Sequence, residues 1–219
     1  MCGIAGVFLK KPDKRIIKKV SKMEKGLSHR GPDSSGFYSN KLIKLIHTRL
    51  SIVDLTGGSQ PIENENYVLI ANGEIYNDPE IRKKIKKYSF KSKSDSESII
   101  AVYSEFGISG FEKLRGMYAF ALYDKKKKIL ILNRDIFGIK PLYFSIIENG
   151  IIFSSEIGAL KETNFENLDV CRNKLAETLQ LQYSSGKNTI YKKIQRLRPG
   201  ELIILEEGRI KKSLINKLF

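Results

Sequence analysis

Cys2 carries the most specific chemistry in the sequence, because Gly3 follows it and a side chain this small behind Met1 allows the initiator methionine to be removed. One residue would then hold a thiol and a free α-amine together. A free α-amine titrates at about 7.7–8.0 and a thiol at about 8.5, so near neutral pH a fraction of such amines can take the thiol proton, directly or through water. Nucleophile and base are supplied without a histidine. Other polar groups fall at junctions between apolar runs. His29-Arg30-Gly31-Pro32-Asp33 surrounds a Gly-Pro turn, and Arg49 heads the run Leu50-Ser51-Ile52-Val53-Asp54. In Asn72-Gly73-Glu74-Ile75-Tyr76-Asn77 a glycine breaks a strand, and Asp95 stands in the first turn of a helix. Taken singly, each has a plainer reading: a small residue at a frayed terminus, a turn, an edge-strand ion pair, a strand-ending Asn-Gly turn, an acid favoured by the helix dipole.

The elements that must position these residues are legible from periodicity. Cys2 to Phe8 predicts a strand at the start of the chain. Ile16, Val20, Met23 and Leu27 make a helical stripe over Asp13 to Leu27, and Ile81, Ile85 and Tyr88 make a second. Strands are expected at Ser34 to Asn40, Leu42 to Thr48 and Tyr67 to Ala71, and then at Met117 to Tyr123, Ile129 to Leu132, Leu142 to Ile147 and Ile151 to Ser154. Ser94 and Glu97 suggest a capping box for a helix ending near Gly107, with a further helical turn at Ser109 to Leu114. Lys125 to Lys128 and Glu148-Asn149-Gly150 read as hairpin turns, Asn173 to Leu181 as a helix, and Glu201 to Leu205 with Gly208 as a last hairpin. Strands outnumber helices and hairpins dominate the connections, which predicts an α+β fold of antiparallel sheets with helices on their outer faces.

With 219 residues and 41% apolar content the chain can fill a core, which excludes disorder and allows one large domain or two small ones. No window approaches 18 consecutive apolar residues and Met1 to Lys11 does not read as a secretory leader, so no membrane partner and a cytoplasmic location are expected. Two cysteines form no disulfide framework and no Cys/His group has zinc-ligand spacing. The formal charge of +15 comes from 29 lysines and 10 arginines against 24 acids. Lys14, Lys18, Lys22 and Lys25 lie mostly off the first helical stripe, and Lys83, Lys84, Lys86 and Lys87 surround the second. Lysines placed this way read as solvated faces rather than a nucleic-acid surface, where arginine forks and aromatics do the reading. Cys171 has no motif around it and reads as a packed residue.

The polar segments in their order resemble the N-terminal nucleophile class of glutamine amidotransferases, and within it the glutaminase domain of glutamine-hydrolysing asparagine synthetases. Cys2-Gly3-Ile4-Ala5-Gly6, His29 to Asp33, Arg49 to Asp54 with Gly58-Ser59-Gln60-Pro61, Asn72 to Asn77 and Ser94-Asp95-Ser96-Glu97 carry the likeness. It continues through Gly116 to Ala121, Arg134-Asp135-Ile136-Phe137-Gly138-Ile139-Lys140-Pro141-Leu142-Tyr143, Ser154-Ser155-Glu156 and Arg198-Pro199-Gly200-Glu201.

The resemblance implies a four-layer αββα sandwich of two antiparallel sheets over residues 2–205, with residues 206–219 a tail where a synthetase domain would begin. It implies attack of Cys2 on the glutamine amide, with the Asn72 side chain and the Gly73 backbone N–H as oxyanion donors. Arg49 would take the α-carboxylate of glutamine, and Asp95, helped by Glu74 and the Gly73 carbonyl, its α-ammonium. Leu50, Ser51, Ile52 and Val53 would line the pocket, with His29, His47 and Arg30 as supports near the site. No cofactor is expected for this domain. ATP and Mg²⁺ belong to a synthetase half, whose Ser-Gly-Gly-x-Asp-Ser loop has no counterpart here: Ser184-Ser185-Gly186-Lys187 lacks the second glycine and the aspartate. An ATP-dependent synthetase domain or chain is therefore the implied partner, and a homodimer stays open. Ammonia delivery to another acceptor such as a sugar carboxylate, or a glutamine-binding domain without catalysis, stand as alternatives.

Overall fold

The first strand, β1 (Gly3–Leu9), is apolar on both faces and therefore has to be covered on both. In the computed structural model, which describes residues 1–51, 58–165 and 169–215, Ile4 and Phe8 enter one apolar cluster while Ala5, Val7 and Leu9 enter another. The chain continues through α1 (Lys14–Val20), α2 (Met23–Leu27), β2 (Ser34–Ser39), β3 (Ile43–Arg49), β4 (Ile62–Glu63) and β5 (Tyr67–Ile75). Next come α3 (Asp78–Lys84), α4 (Glu97–Phe106), a 3₁₀ segment Gly107–Lys113, and the strands β6 (Gly116–Asp124), β7 (Ile129–Arg134), β8 (Tyr143–Ile147) and β9 (Gly150–Ser154). Last are α5 (Ile157–Lys161), α6 (Arg172–Leu181), β10 (Ile194–Arg196), β11 (Glu201–Glu206) and β12 (Arg209–Ile215).

These strands make two six-stranded sheets, ordered β10-β8-β9-β1-β3-β2 and β12-β11-β7-β6-β5-β4, with every named pairing antiparallel. Ile4, Phe8 and Leu45 from the first sheet pack against Val68, Ile70 and Leu132 from the second, forming the layer between them. Outside the first sheet, Val20, Met23, Leu27 and Leu160 from α1, α2 and α5 cover Val7 and Ile46. Outside the second, Ile99, Val102 and Tyr103 of α4 cover Leu69, Phe120 and Leu122. The result is the expected α+β, αββα order of four layers. Among the described residues no helix is long and apolar enough to cross a membrane.

Local departures from expectation have local causes. The first helix divides at Ser21 and Lys22 into α1 and α2; Asp13 caps α1, its carboxylate accepting from Arg15 N and Ile16 N. The Ser94–Glu97 capping box does not form. The Glu97 carboxylate accepts instead from Lys91 N, Ser92 N, Ser92 Oγ and Tyr88 Oη, tying down the loop before α4. Cys171 is half-exposed ahead of α6, a helix with no buried residue, so it is not a packed core side chain. From the segment expected as a tail, residues 209–215 pair with β11 as the edge strand β12.

The strand that Asn72-Gly73 was expected to end instead runs on through Ile75. Asn72 faces Ala119, Gly73 faces Tyr118 and Glu74 faces Met117 across the β5–β6 pair. Gly73 holds φ at 155°, and a Cβ there would lie 2.1 Å from Met117 O, so only glycine keeps this register.

Candidate functional site

Register brings the polar residues to one end of the sandwich. Gly3 pairs with Thr48, which places Cys2 beside the end of β3. There the Leu50 N–H donates to Cys2 Sγ at 3.4 Å and the thiol donates to Leu50 O at 3.5 Å. When the thiol ionises, the N–H contact is the one that stabilises sulfur charge. Cys2 O accepts from Arg30 Nε at 3.0 Å, and Arg30 Nη1 donates to Glu156 at 2.7 Å. Burial pushes the Glu156 carboxyl up, but hydrogen bonds from Arg30 and His29 outweigh it and hold the group below the usual range. The N-terminus is thus clamped through the Cys2 carbonyl, with Ile4 N donating to Ser155 Oγ at 3.0 Å just behind.

Cys2, Arg49, Leu50, Asn72, Gly73, Glu74 and Asp95 line one cleft that opens to solvent. Of the residues singled out from sequence, Ser51 lies off this lining, its N–H donating to Asp33 Oδ2 at 2.7 Å. Ile52 and Val53 lie outside the described residues. His29 is largely exposed and pairs with Glu156.

Asn72 shares its strand face with Val68 and Ile70, so its side chain turns between the sheets and is 2% exposed. Its Nδ2 finds no acceptor among the described residues. A buried amide donor left unmade costs about 1–3 kcal/mol, which makes it a site waiting for an acceptor. Both backbone groups of Tyr118 are engaged by Asp135, whose N–H donates to Tyr118 O while its carboxylate accepts from Tyr118 N. In an antiparallel ladder this turns the facing Gly73 N–H away from β6, on the side where β4 has no residue opposite it. Two donors therefore stand together at the cleft with no ladder partner required of them.

Asp95 lies across from them. Burial raises its pKa above the ordinary carboxyl range, the Ile75 N–H at 2.5 Å offsets part of this, and Asp78 adds to the rise. A cation at this carboxyl would recover the cost of charging it. Arg49 is 8% exposed at the same cleft, so the site offers opposite charges to a zwitterion.

His47 is 1% exposed. Burial pushes its pKa down to about 4, against a hydrogen bond to Ala71 O, and Arg49 lowers it further. Its Nε2 lies 3.2 Å from that carbonyl, so this nitrogen carries the proton of a neutral ring. Such a ring fixes Ala71, the residue before Asn72. Gln60 does the same from the other side, accepting from Ala71 N at 2.6 Å and donating to Ala71 O at 3.1 Å.

Gln60 and Lys140 are cleft residues to which the sequence reading gave no role, although both stand in motifs it quoted. Lys140 is presented by a loop built around Asp135, which is 0% exposed. The Asp135 carboxylate accepts from Phe137, Ile139, Lys140 and Tyr118 N–H groups. Arg134 ties the same loop, donating to Lys140 O and Gly138 O and to Leu197 O. Asp135→Ala strands these donors and is expected to lose about 3–5 kcal/mol of stability, read as a lowered denaturant midpoint; a midpoint within error of the parent would refute the assignment. Among the described residues no group of three or more His, Cys, Asp or Glu is arranged to hold a metal ion.

Comparison with known proteins places this architecture. A family model described as a glutamine amidotransferase domain matches residues 1–215. The chain is 35% identical over 221 aligned residues to asparagine synthetase [glutamine-hydrolyzing] 1 of Bacillus subtilis, covering 96% of this chain and 34% of the relative. It is 44% identical over 165 residues to asparagine synthetase B [glutamine-hydrolyzing] of Escherichia coli, covering 73% and 30% respectively. The chain thus spans about a third of the length of these curated relatives. Among solved structures, the glutamine phosphoribosylpyrophosphate amidotransferase of B. subtilis superposes with a TM-score of 0.69 over 100% of this chain and 50% of its own, at 16% identity, a likeness of fold.

Proposed function

Because the chain belongs to the glutamine amidotransferase domain family, we propose that it hydrolyses glutamine to glutamate and ammonia through a thioester on Cys2. The observation that carries the reading is the buried Asn72 Nδ2, without an acceptor, in the cleft that holds the Cys2 thiol. Removal of Met1 frees the Cys2 α-amine, which takes the thiol proton as Sγ attacks the amide carbon. The C=O π pair moves onto oxygen, and the new oxyanion accepts from Asn72 Nδ2–H and Gly73 N–H. The tetrahedral centre then collapses, the C–N bond breaks, and nitrogen leaves as ammonia with the proton returned by the α-amine. Water adds to the thioester with the same amine as base, the C–S bond breaks, and glutamate departs. His47, neutral and bonded to Ala71 O, takes no part in this proton traffic.

Arg49 binds the α-carboxylate and Asp95 with Glu74 the α-ammonium, at a distance from the reacting amide. Leu50 forms part of the wall beside them. The ammonia passes to an ATP-dependent synthetase domain or chain that amidates aspartate with ATP and Mg²⁺; the names of the relatives support this assignment. The domain proposed for this chemistry spans residues 2–205. Two unpaired cysteines fit a reducing, cytoplasmic setting.

Protein whose intact mass shows Met1 removed is expected to release glutamate and ammonia from glutamine in equal amounts. Absence of both would overturn the reading. Arg49→Ala is expected to raise KM for glutamine about 10–100-fold with a smaller change in kcat, the loss of one charge-assisted carboxylate contact. An unchanged KM would remove Arg49 from substrate binding.

A further inference from the structure

Lys140 is a charged residue of the cleft to which glutamine hydrolysis, as proposed, assigns no task. It is 7% exposed and makes no ion pair among the described residues. Among the described residues its Nζ has one hydrogen-bond partner, the Met1 thioether at 3.6 Å. Its backbone is pinned at both ends, N–H to Asp135 Oδ2 at 3.0 Å and carbonyl to Arg134 Nε at 2.7 Å, so the ammonium is held in the cleft rather than drawn out to water. A buried cation without a carboxylate is costly to keep.

Met1 marks where that cation acts. Its sulfur lies between Lys140 Nζ and Arg30 Nη2, the latter at 3.9 Å. Excision of Met1 removes this thioether and frees the amine of Cys2, which lines the same cleft as Lys140. Arg30 is matched by Glu156, with His29 on the same carboxylate. The other charged groups around the cleft are Arg49 from β3, Glu74 from β5 and Asp95 ahead of α4, with His47 neutral. Among the described residues, Lys140 is a cation here with no carboxylate of its own.

On the premise that Cys2 is the nucleophile, we propose that the Lys140 ammonium is the fixed charge that keeps the Cys2 N-terminus a free amine and favours its thiolate. Both effects act in one direction: a nearby cation disfavours the ammonium and favours the sulfur anion. Lys140 gives up and takes no proton itself; the proton traffic runs through the α-amine. It is a positioning residue, acting through Cys2. A unit charge lining the same partly wet cleft moves such a titration by about half to one pH unit.

The experiment compares parent, Lys140→Met and Lys140→Arg proteins, each treated with methionine aminopeptidase until intact mass shows Met1 gone. Alkylation of Cys2 by iodoacetamide is followed between about pH 6 and pH 9.5, with peptide mass separating Cys2 from Cys171, and glutamate release is measured over the same range. In Lys140→Met the acid limb of Cys2 reactivity is expected to move up by about half to one pH unit, converge on the parent at the alkaline end, and return in Lys140→Arg. Superimposable profiles, or a loss of the same factor at every pH, would overturn the proposal, the second being what a packing role produces. Alkylation needs no glutamine. A parent protein with a Lys140-dependent acid limb and no glutamate release would retain this inference and overturn the glutaminase reading instead.

Discussion

Cys2→Ala is expected to bring glutamate release from glutamine down to background, a loss of at least about 10³–10⁴ in kcat, in a coupled glutamate assay on protein lacking Met1. The alanine variant keeps the α-amine, the Asn72 and Gly73 donors and the Arg49 and Asp95 charges, so everything but the attacking atom survives. Glutamine binding measured by calorimetry should therefore hold within a few-fold of the parent. Stability should change by less than about 0.5 kcal/mol, because Cys2 precedes β1 and belongs to no apolar cluster. The combination of lost turnover, kept affinity and kept fold isolates the nucleophile. Cys171 offers no second route: it is half-exposed ahead of α6 and outside the cleft. Undiminished turnover in Cys2→Ala would place the chemistry elsewhere altogether.

How the sequence encodes this site shows where one-dimensional reading stops. Once a strand is placed, its alternation sets which residues share a face: Ile4 and Phe8 against Ala5, Val7 and Leu9, and Asn72 on the inter-sheet side with Val68 and Ile70. Hairpin chemistry at Lys125 to Lys128 and at Glu148-Asn149-Gly150 predicted neighbouring antiparallel strands, and β6–β7 and β8–β9 are those pairs. Non-local demands are what periodicity does not carry. Asn-Gly is an ordinary turn signal, yet Gly73 stays in β5 because Met117 O approaches too closely for any Cβ. Glu97 has the spacing of a capping box, yet N–H groups of the preceding loop occupy its carboxylate. Lys140 and Gln60 carry no local mark of function. Lys140 reaches the cleft through a loop set by the buried Asp135, and Gln60 through a paired contact with Ala71, 11 residues on.

Asn72→Ala tests the other half of the chemistry. It is expected to lower kcat for glutamine hydrolysis by about 10²–10³ with little change in KM, since the oxyanion exists only after attack and the ground-state carbonyl draws less from the donor. Asn72→Asp should fall further, because a carboxylate would repel the developing charge it replaces a donor for. The stability readout separates this from damage to the fold. In the free protein the Asn72 Nδ2 is buried without an acceptor among the described residues, so truncation removes a donor that folding had already stripped of water. The thermal midpoint of Asn72→Ala should therefore hold or rise, by a gain of up to about 1 kcal/mol, while turnover collapses. A variant that lost both stability and activity would make Asn72 a structural amide. A donor that weakens the resting protein and strengthens only the transition state is the arrangement a preorganised oxyanion site requires, since reorganisation is then complete before substrate arrives.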